Sequence, residues 1–160
     1  LLHEGAGLRL TKRFVVDEGG PGFEVFWELT NLHSEPLNAA FVSEWNLSPP
    51  QAPGGDDRIH LLRLDHGDID LTPAPGHVER VTEFELRGSA SYGVRARLHT
   101  PGDVWHYPIE TVSNSEAGLE RVLQGVCIAI RWPLELAPGG SVRLTLRWEV
   151  AGEPPEFAVG

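Results

Sequence analysis

Methionine is absent from this 160-residue chain, cysteine occurs once, and basic residues are scarce, with 13 Lys and Arg against 23 Asp and Glu. A lone cysteine, Cys127, cannot close an internal disulfide. Its place in the apolar run Val126-Cys127-Ile128-Ala129-Ile130 marks it as a buried, inert thiol. The formal net charge of −10 would repel a phosphate backbone, which sets nucleic acid aside as a partner. No apolar run approaches the roughly 20 residues that span a bilayer, so no membrane partner is expected. Leu1 to Leu10 has neither the basic start nor the apolar stretch of a secretory signal. With no initiator Met, residues 1–160 are read as a single domain excised from a longer protein. Cytoplasmic localisation is the default, resting only on the lack of paired cysteines.

A sustained 3.6-residue apolar stripe with caps is also missing, so little or no helix is expected. Periodicity of two takes its place. Phe23, Val25, Trp27 and Leu29 share one face of a strand, as do Tyr92, Val94, Ala96 and Leu98, and then Val142, Leu144, Leu146, Trp148 and Val150. Between Leu37 and Leu47, residues Leu37, Ala39, Phe41, Trp45 and Leu47 fall on one side, with Asn38, Val42, Glu44 and Asn46 on the other. The second half of Arg121 to Trp132 is apolar on both faces, as in a central covered strand. Gly19-Gly20-Pro21-Gly22, Asn31 to Pro36, Thr100-Pro101-Gly102-Asp103 and Ala137-Pro138-Gly139-Gly140 read as hairpins or short loops between strands. Ser48 to Asp57 reads as the longest loop, and Glu153 to Glu156 as a frayed tail. The expected fold is an all-β antiparallel sandwich.

Metal and nucleotide chemistry find little support. The histidines are scattered without a His-Glu-x-x-His motif. Asp65-His66-Gly67-Asp68-Ile69-Asp70 could offer oxygens to Ca²⁺ but lacks EF-hand spacing and is read as a polar turn, so no metal or cofactor is expected. No Gly-rich phosphate loop and no Gly-x-Ser-x-Gly elbow is present. Carboxylates do lie near aromatics, in Glu44-Trp45-Asn46, in Trp105-His106-Tyr107-Pro108-Ile109-Glu110 and in the following Ser113-Asn114-Ser115-Glu116. Two carboxyls flanking a cleft would be a glycosidase pair. The same residues could instead contact sugar, with a flat ring stacked on a pyranose and polar groups on its hydroxyls. The candidate contacts are Glu44, Trp105, His106, Glu110 and Glu116. Trp27, Trp45 and Trp148 are assigned to the core, whereas Trp105 alternates with Asp103, Tyr107 and Thr111 on a mixed face. Pro108 cannot donate to a ladder, so its strand must be at an edge or bulged there. In that setting Glu110 or Glu116 could cap the Ser113-Asn114-Ser115 turn.

From Val104-Trp105-His106-Tyr107-Pro108-Ile109-Glu110-Thr111-Val112-Ser113 through Ser115-Glu116-Ala117-Gly118, Gln124-Gly125 and Arg131-Trp132, the chain resembles the C-terminal β-sandwich domain of family-57 glycoside hydrolases. These are α-amylases and 4-α-glucanotransferases. Leu29-Thr30-Asn31-Leu32 and Glu44-Trp45-Asn46-Leu47-Ser48 are similar to further motifs of that domain. The resemblance implies a galactose mutarotase-like supersandwich beside a catalytic (β/α) barrel in cis. It also implies that the catalytic Glu and Asp belong to the barrel, leaving no catalytic residue here. Three readings follow: an accessory domain that supports the barrel and contacts α-glucan or maltooligosaccharide, a stand-alone carbohydrate-binding module, or an aldose epimerase-like enzyme using His106 and Glu110.

Overall fold

A computed structural model describes residues 7–49, 51, 59–63, 67–69, 75–115 and 118–152. Nine strands account for nearly all of them, and no helix occurs among the described residues. They are β1 (Leu8–Val16), β2 (Gly22–Asn31), β3 (Leu37–Leu47), β4 (His60–Arg63), β5 (Gly67–Ile69), β6 (Gly76–Arg87), β7 (Tyr92–Ser115), β8 (Gly118–Leu136) and β9 (Ser141–Gly152). All pairings are antiparallel. The main path runs β1-β2-β9-β7-β6-β4-β5, and β8 joins β7 to β3. Most of Ser48 to Asp57, together with Asp65, His66, Asp70, Glu116 and the tail from Glu153, lies outside the described residues.

The single hydrogen-bonded sheet folds over on itself because β7 changes layers. Its first stretch, Tyr92 to Leu98, pairs with β9, and Asp103 to Ser115 pairs with β8. Thr100-Pro101-Gly102-Asp103 is therefore not a hairpin, as its composition suggests, but a corner inside one long strand. Trp132 Nε1 donates to Thr100 O at 3.0 Å and closes the corner from within. A Cβ on Gly102 would stand 2.9 Å from Ile130 Cγ2 and 3.0 Å from that indole nitrogen, so only glycine fits this approach. Alongside, β6 bends with two register shifts between Val78 and Glu83, where Arg80 takes φ 53°.

The two layers meet through the inward residues that alternation picks out. Trp27 of β2 packs against Phe41, Trp45 and Trp132 with ring centroids 5.6, 6.5 and 5.8 Å apart, and Trp45 meets Trp148 at 5.3 Å. None of these contacts follows a strand pairing between β2 and β3, so they are the face-to-face packing of a sandwich. Each such aromatic pair adds about 0.5–1.5 kcal/mol beyond its buried area. Val126, Cys127, Ile128, Ala129 and Ile130 are buried in succession, as expected for a central strand between β3 and β7. The chain's only lysine, Lys12, lies 4.6 Å from the Phe14 ring centroid, with the Trp27 and Trp45 rings at 5.9 and 5.8 Å.

Candidate functional site

The strand register places three residues in line across the outward face of the second layer: Glu44 of β3 opposite Ala129 of β8, and Ala129 opposite Trp105 of β7. Paired residues project to the same side, and two strand spacings put Glu44 and Trp105 about 10 Å apart at the backbone. One step along the strands, Asn46, Cys127 and Tyr107 form a second such row. Buried Ala129 and Cys127 make a small floor, while Trp105 and Tyr107 stand 45% and 41% exposed beside it. His77 of β6 meets the far side of Trp105 edge-on, with centroids 5.5 Å apart. Arg131 closes one end through a 3.3 Å ion pair with Asp103.

The register brings three side chains together on this surface: Tyr107 stands directly opposite Cys127, and Glu44 lies diagonally across from Cys127 on β3. Hydrogen bonding to Cys127, followed by burial and the charge of Glu44, pushes the Tyr107 phenol up to about 12. Burial raises the Cys127 thiol and outweighs the opposing bond from Tyr107. The arrangement is an open, flat patch with two aromatic faces on one side and a carboxylate and an amide on the other. Such a patch can stack the apolar face of a ring while polar groups at its margin hydrogen-bond hydroxyls.

The other candidates go elsewhere. His106 alternates with Trp105 and so projects inward, between Ile128 on β8 and Gly76 on β6, where it is 5% exposed and its imidazole is depressed by burial. Glu110 lies on the side of β7 away from Trp105 and pairs with Arg121 at 3.3 Å, diagonally across the β7–β8 ladder. It therefore caps no described turn, and Glu44 and Glu110 sit on opposite faces of the layer, too far apart to act as a glycosidase pair. Nor do His106 and Glu110 converge, since one is enclosed in the core and the other stands in the open about 13 Å further along the strand. Among the described residues Pro108 is both at an edge and beside a bulge: described pairing with β6 ends at His106, and the register shifts between Ile109 and Glu110. Tyr107 and Asn46 belong to the patch but do not stand out in the sequence; their two-residue spacing from Trp105 and Glu44 is the only signal that finds them. Among the described residues no group of three His, Cys, Asp or Glu is placed to hold a metal, and no helix is long and apolar enough to cross a membrane.

Comparison with known proteins bears on this geometry. Residues 3–146 match the family described as alpha-amylase/4-alpha-glucanotransferase, C-terminal. Alpha-amylase 1 of Dictyoglomus thermophilum is 28% identical over 144 residues, which are 90% of this chain and 20% of that protein. The crystal structure of 4-alpha-glucanotransferase from Thermococcus litoralis superposes with a TM-score of 0.62 at 26% identity, covering 89% of this chain and 18% of that one. A Klebsiella pneumoniae structure with a provisional aldose 1-epimerase designation superposes with a TM-score of 0.63 at 11% identity, covering 96% of this chain and 49% of the other, a likeness of fold alone. The chain thus spans about a fifth of the length of the first of these relatives.

Proposed function

The chain belongs to the family of alpha-amylase/4-alpha-glucanotransferase C-terminal domains, and from that premise we propose that it is the accessory domain of an α-glucan-processing enzyme. In this reading it has no catalytic machinery of its own, it supports a catalytic barrel in cis, and it lays a glucan chain across the patch of Trp105 and Tyr107. One observation carries the sugar-contacting part: two exposed aromatic side chains, two residues apart on a flat strand face, look across a floor of small side chains at Glu44 and Asn46. Flat rings beside hydrogen-bonding groups suit a pyranose, and an open patch suits a chain passing over it better than a small sugar held on all sides. An aldose epimerase-like role gains nothing from the fold likeness, because His106 and Glu110 are not brought together.

Affinity electrophoresis in amylose gels and tryptophan fluorescence with maltoheptaose test this directly. The 160-residue chain is expected to bind without hydrolysing or disproportionating the sugar, and Trp105→Ala to weaken binding at least about tenfold, equivalent to roughly 1.4 kcal/mol. Trp105→Phe should keep part of the affinity. Wild-type binding that Trp105→Ala and Tyr107→Ala both leave intact would move the sugar off this patch.

A further inference from the structure

Beyond the body of the sandwich, β7 and β8 continue as a two-stranded ribbon, Glu110–Ser115 against Gly118–Leu123. Pairing of β8 with β3 stops at Val126 and pairing of β7 with β6 stops at His106, so neither ribbon strand has a second neighbour among the described residues. A lone two-stranded ribbon is marginal in water, and strand edges without a neighbour invite pairing unless something covers them. The pairs Val112↔Arg121, Asn114↔Leu119 and Glu110↔Leu123 share one face. On it Val112 is 60% and Leu119 80% exposed, while Leu123 packs on the hydrophobic core. The apolar side of the ribbon is therefore the inner face of the second layer carried past its cover. Its one described ion pair, Glu110–Arg121, is internally neutral, which leaves an apolar contact surface.

We propose that this ribbon is a docking arm, whose Val112, Leu119 and Leu123 pack against the preceding catalytic part of the same polypeptide. The inference rests on the reading of the chain as a C-terminal accessory domain in cis to a catalytic domain. The length of polypeptide outside the domain supports that occupant: the matched region is 20% of one relative and 18% of another, so about four fifths of such a protein is available to cover the arm. A second copy is the weaker occupant, since two chains of net charge −10 repel one another.

Hydrogen exchange on peptides covering 107–115, in the full-length enzyme and in the 160-residue chain, reads the contact. Protection is expected to be at least tenfold greater in the full-length enzyme, and the double variant Val112→Asp/Leu119→Asp to abolish the difference. That variant should leave the melting temperature of the 160-residue chain within about two degrees, because both side chains are exposed there. Equal exchange in the two proteins overturns the proposal, as does a dimer of the 160-residue chain that the double variant dissolves while exchange in the full-length enzyme is unchanged. Protection without any activity on maltooligosaccharides would instead sink the glucan reading and leave the arm docked.

Discussion

Arg95 donates from Nε and Nη2 to the same oxygen of Glu85, at 3.1 and 2.8 Å, across the β6–β7 ladder. Arg87 donates to the other oxygen of that carboxylate, whose side chain is fully buried. Around it Arg97 bridges Glu83 and Glu149 at 2.9 and 2.7 Å, but these groups are partly exposed and such pairs contribute little. Glu85 is different. Burial pushes its carboxyl up, yet the hydrogen bonds and charges of Arg87 and Arg95 together outweigh burial and hold it below the ordinary carboxylate value. A lowered folded-state value means that its contribution is complete above the unfolded-chain value of about 4.3 and disappears as pH falls through the lower one. Glu85→Gln should cost about 2 kcal/mol at pH 7, and the gap from wild type should close as pH drops below about 4. Urea unfolding between pH 3 and 7 measures it; a gap constant across that range contradicts the assignment.

Asn31 ties the two layer crossings together. Its Nδ2 donates to Glu35 O, Leu136 O and Ala137 O at 2.8, 3.1 and 3.2 Å, and its Oδ1 accepts from His33 N at 3.0 Å. Removing the donor takes a hydrogen bond from the buried Leu136 O and from Glu35 O, while Ala137 O keeps Gly140 N, so Asn31→Ala should cost about 2–3 kcal/mol and lower the melting temperature by about 5–10 °C. Asn31→Asp, which keeps the shape but cannot donate, should do at least as much harm. A calorimetric scan in which Asp restores wild-type stability would show that packing, not donation, is what matters.

His106 depends on the missing side chain at Gly76. A Cβ there would overlap the imidazole, which has Ile128 on its other flank. Gly76→Ala should therefore cost about 1–3 kcal/mol in the wild-type background and much less beside His106→Ala. Because burial lowers the His106 value, the unfolded chain takes up its proton first. Stability should thus decline as pH falls from about 6.5 through the lower folded-state value, and His106→Leu should remove that segment of the pH profile. Additive costs in the double variant would break the link between the two positions.

Much of the fold is legible because alternation is a local signal. It places β2, β3 and β9, orients Trp27, Trp45 and Trp148 inward, and marks the doubly covered run in β8. β6 leaves a weaker trace, since its register shifts between Val78 and Glu83 break the period of two. Thr100-Pro101-Gly102-Asp103 misleads for another reason: proline and glycine suit a hairpin and a strand corner equally, and Trp132, 30 residues beyond Gly102, decides between them. The same limit separates the candidate site residues. Trp105 and His106 are neighbours in sequence, and only the register of β7 against β6 and β8 sends one outward and the other into the core. That Glu44 faces Trp105 across Ala129 is a relation among three strands, with no trace in any local window.

The meeting of Tyr107, Cys127 and Glu44 makes a final prediction about the floor of the patch. Hydrogen bonding to Cys127 is the largest cause of the raised Tyr107 value, whereas the Cys127 value is raised first by burial and then by the charge of Glu44. The thiol is thus buried and uncharged at neutral pH, although its neighbour Tyr107 is half open to solvent. Reaction with a disulfide reagent at pH 8 should be at least about a thousandfold slower than for the unfolded chain, because only the thiolate attacks and it must first be exposed. Cys127→Val keeps the volume but removes the acceptor, so Tyr107 should then ionise closer to the ordinary phenol value near 10. Ultraviolet difference titration of this variant in a Tyr92→Phe background follows that single phenol. If Cys127→Val leaves the Tyr107 titration where it was, the thiol does not hold the ring, and burial and the charge of Glu44 must account for the raised value.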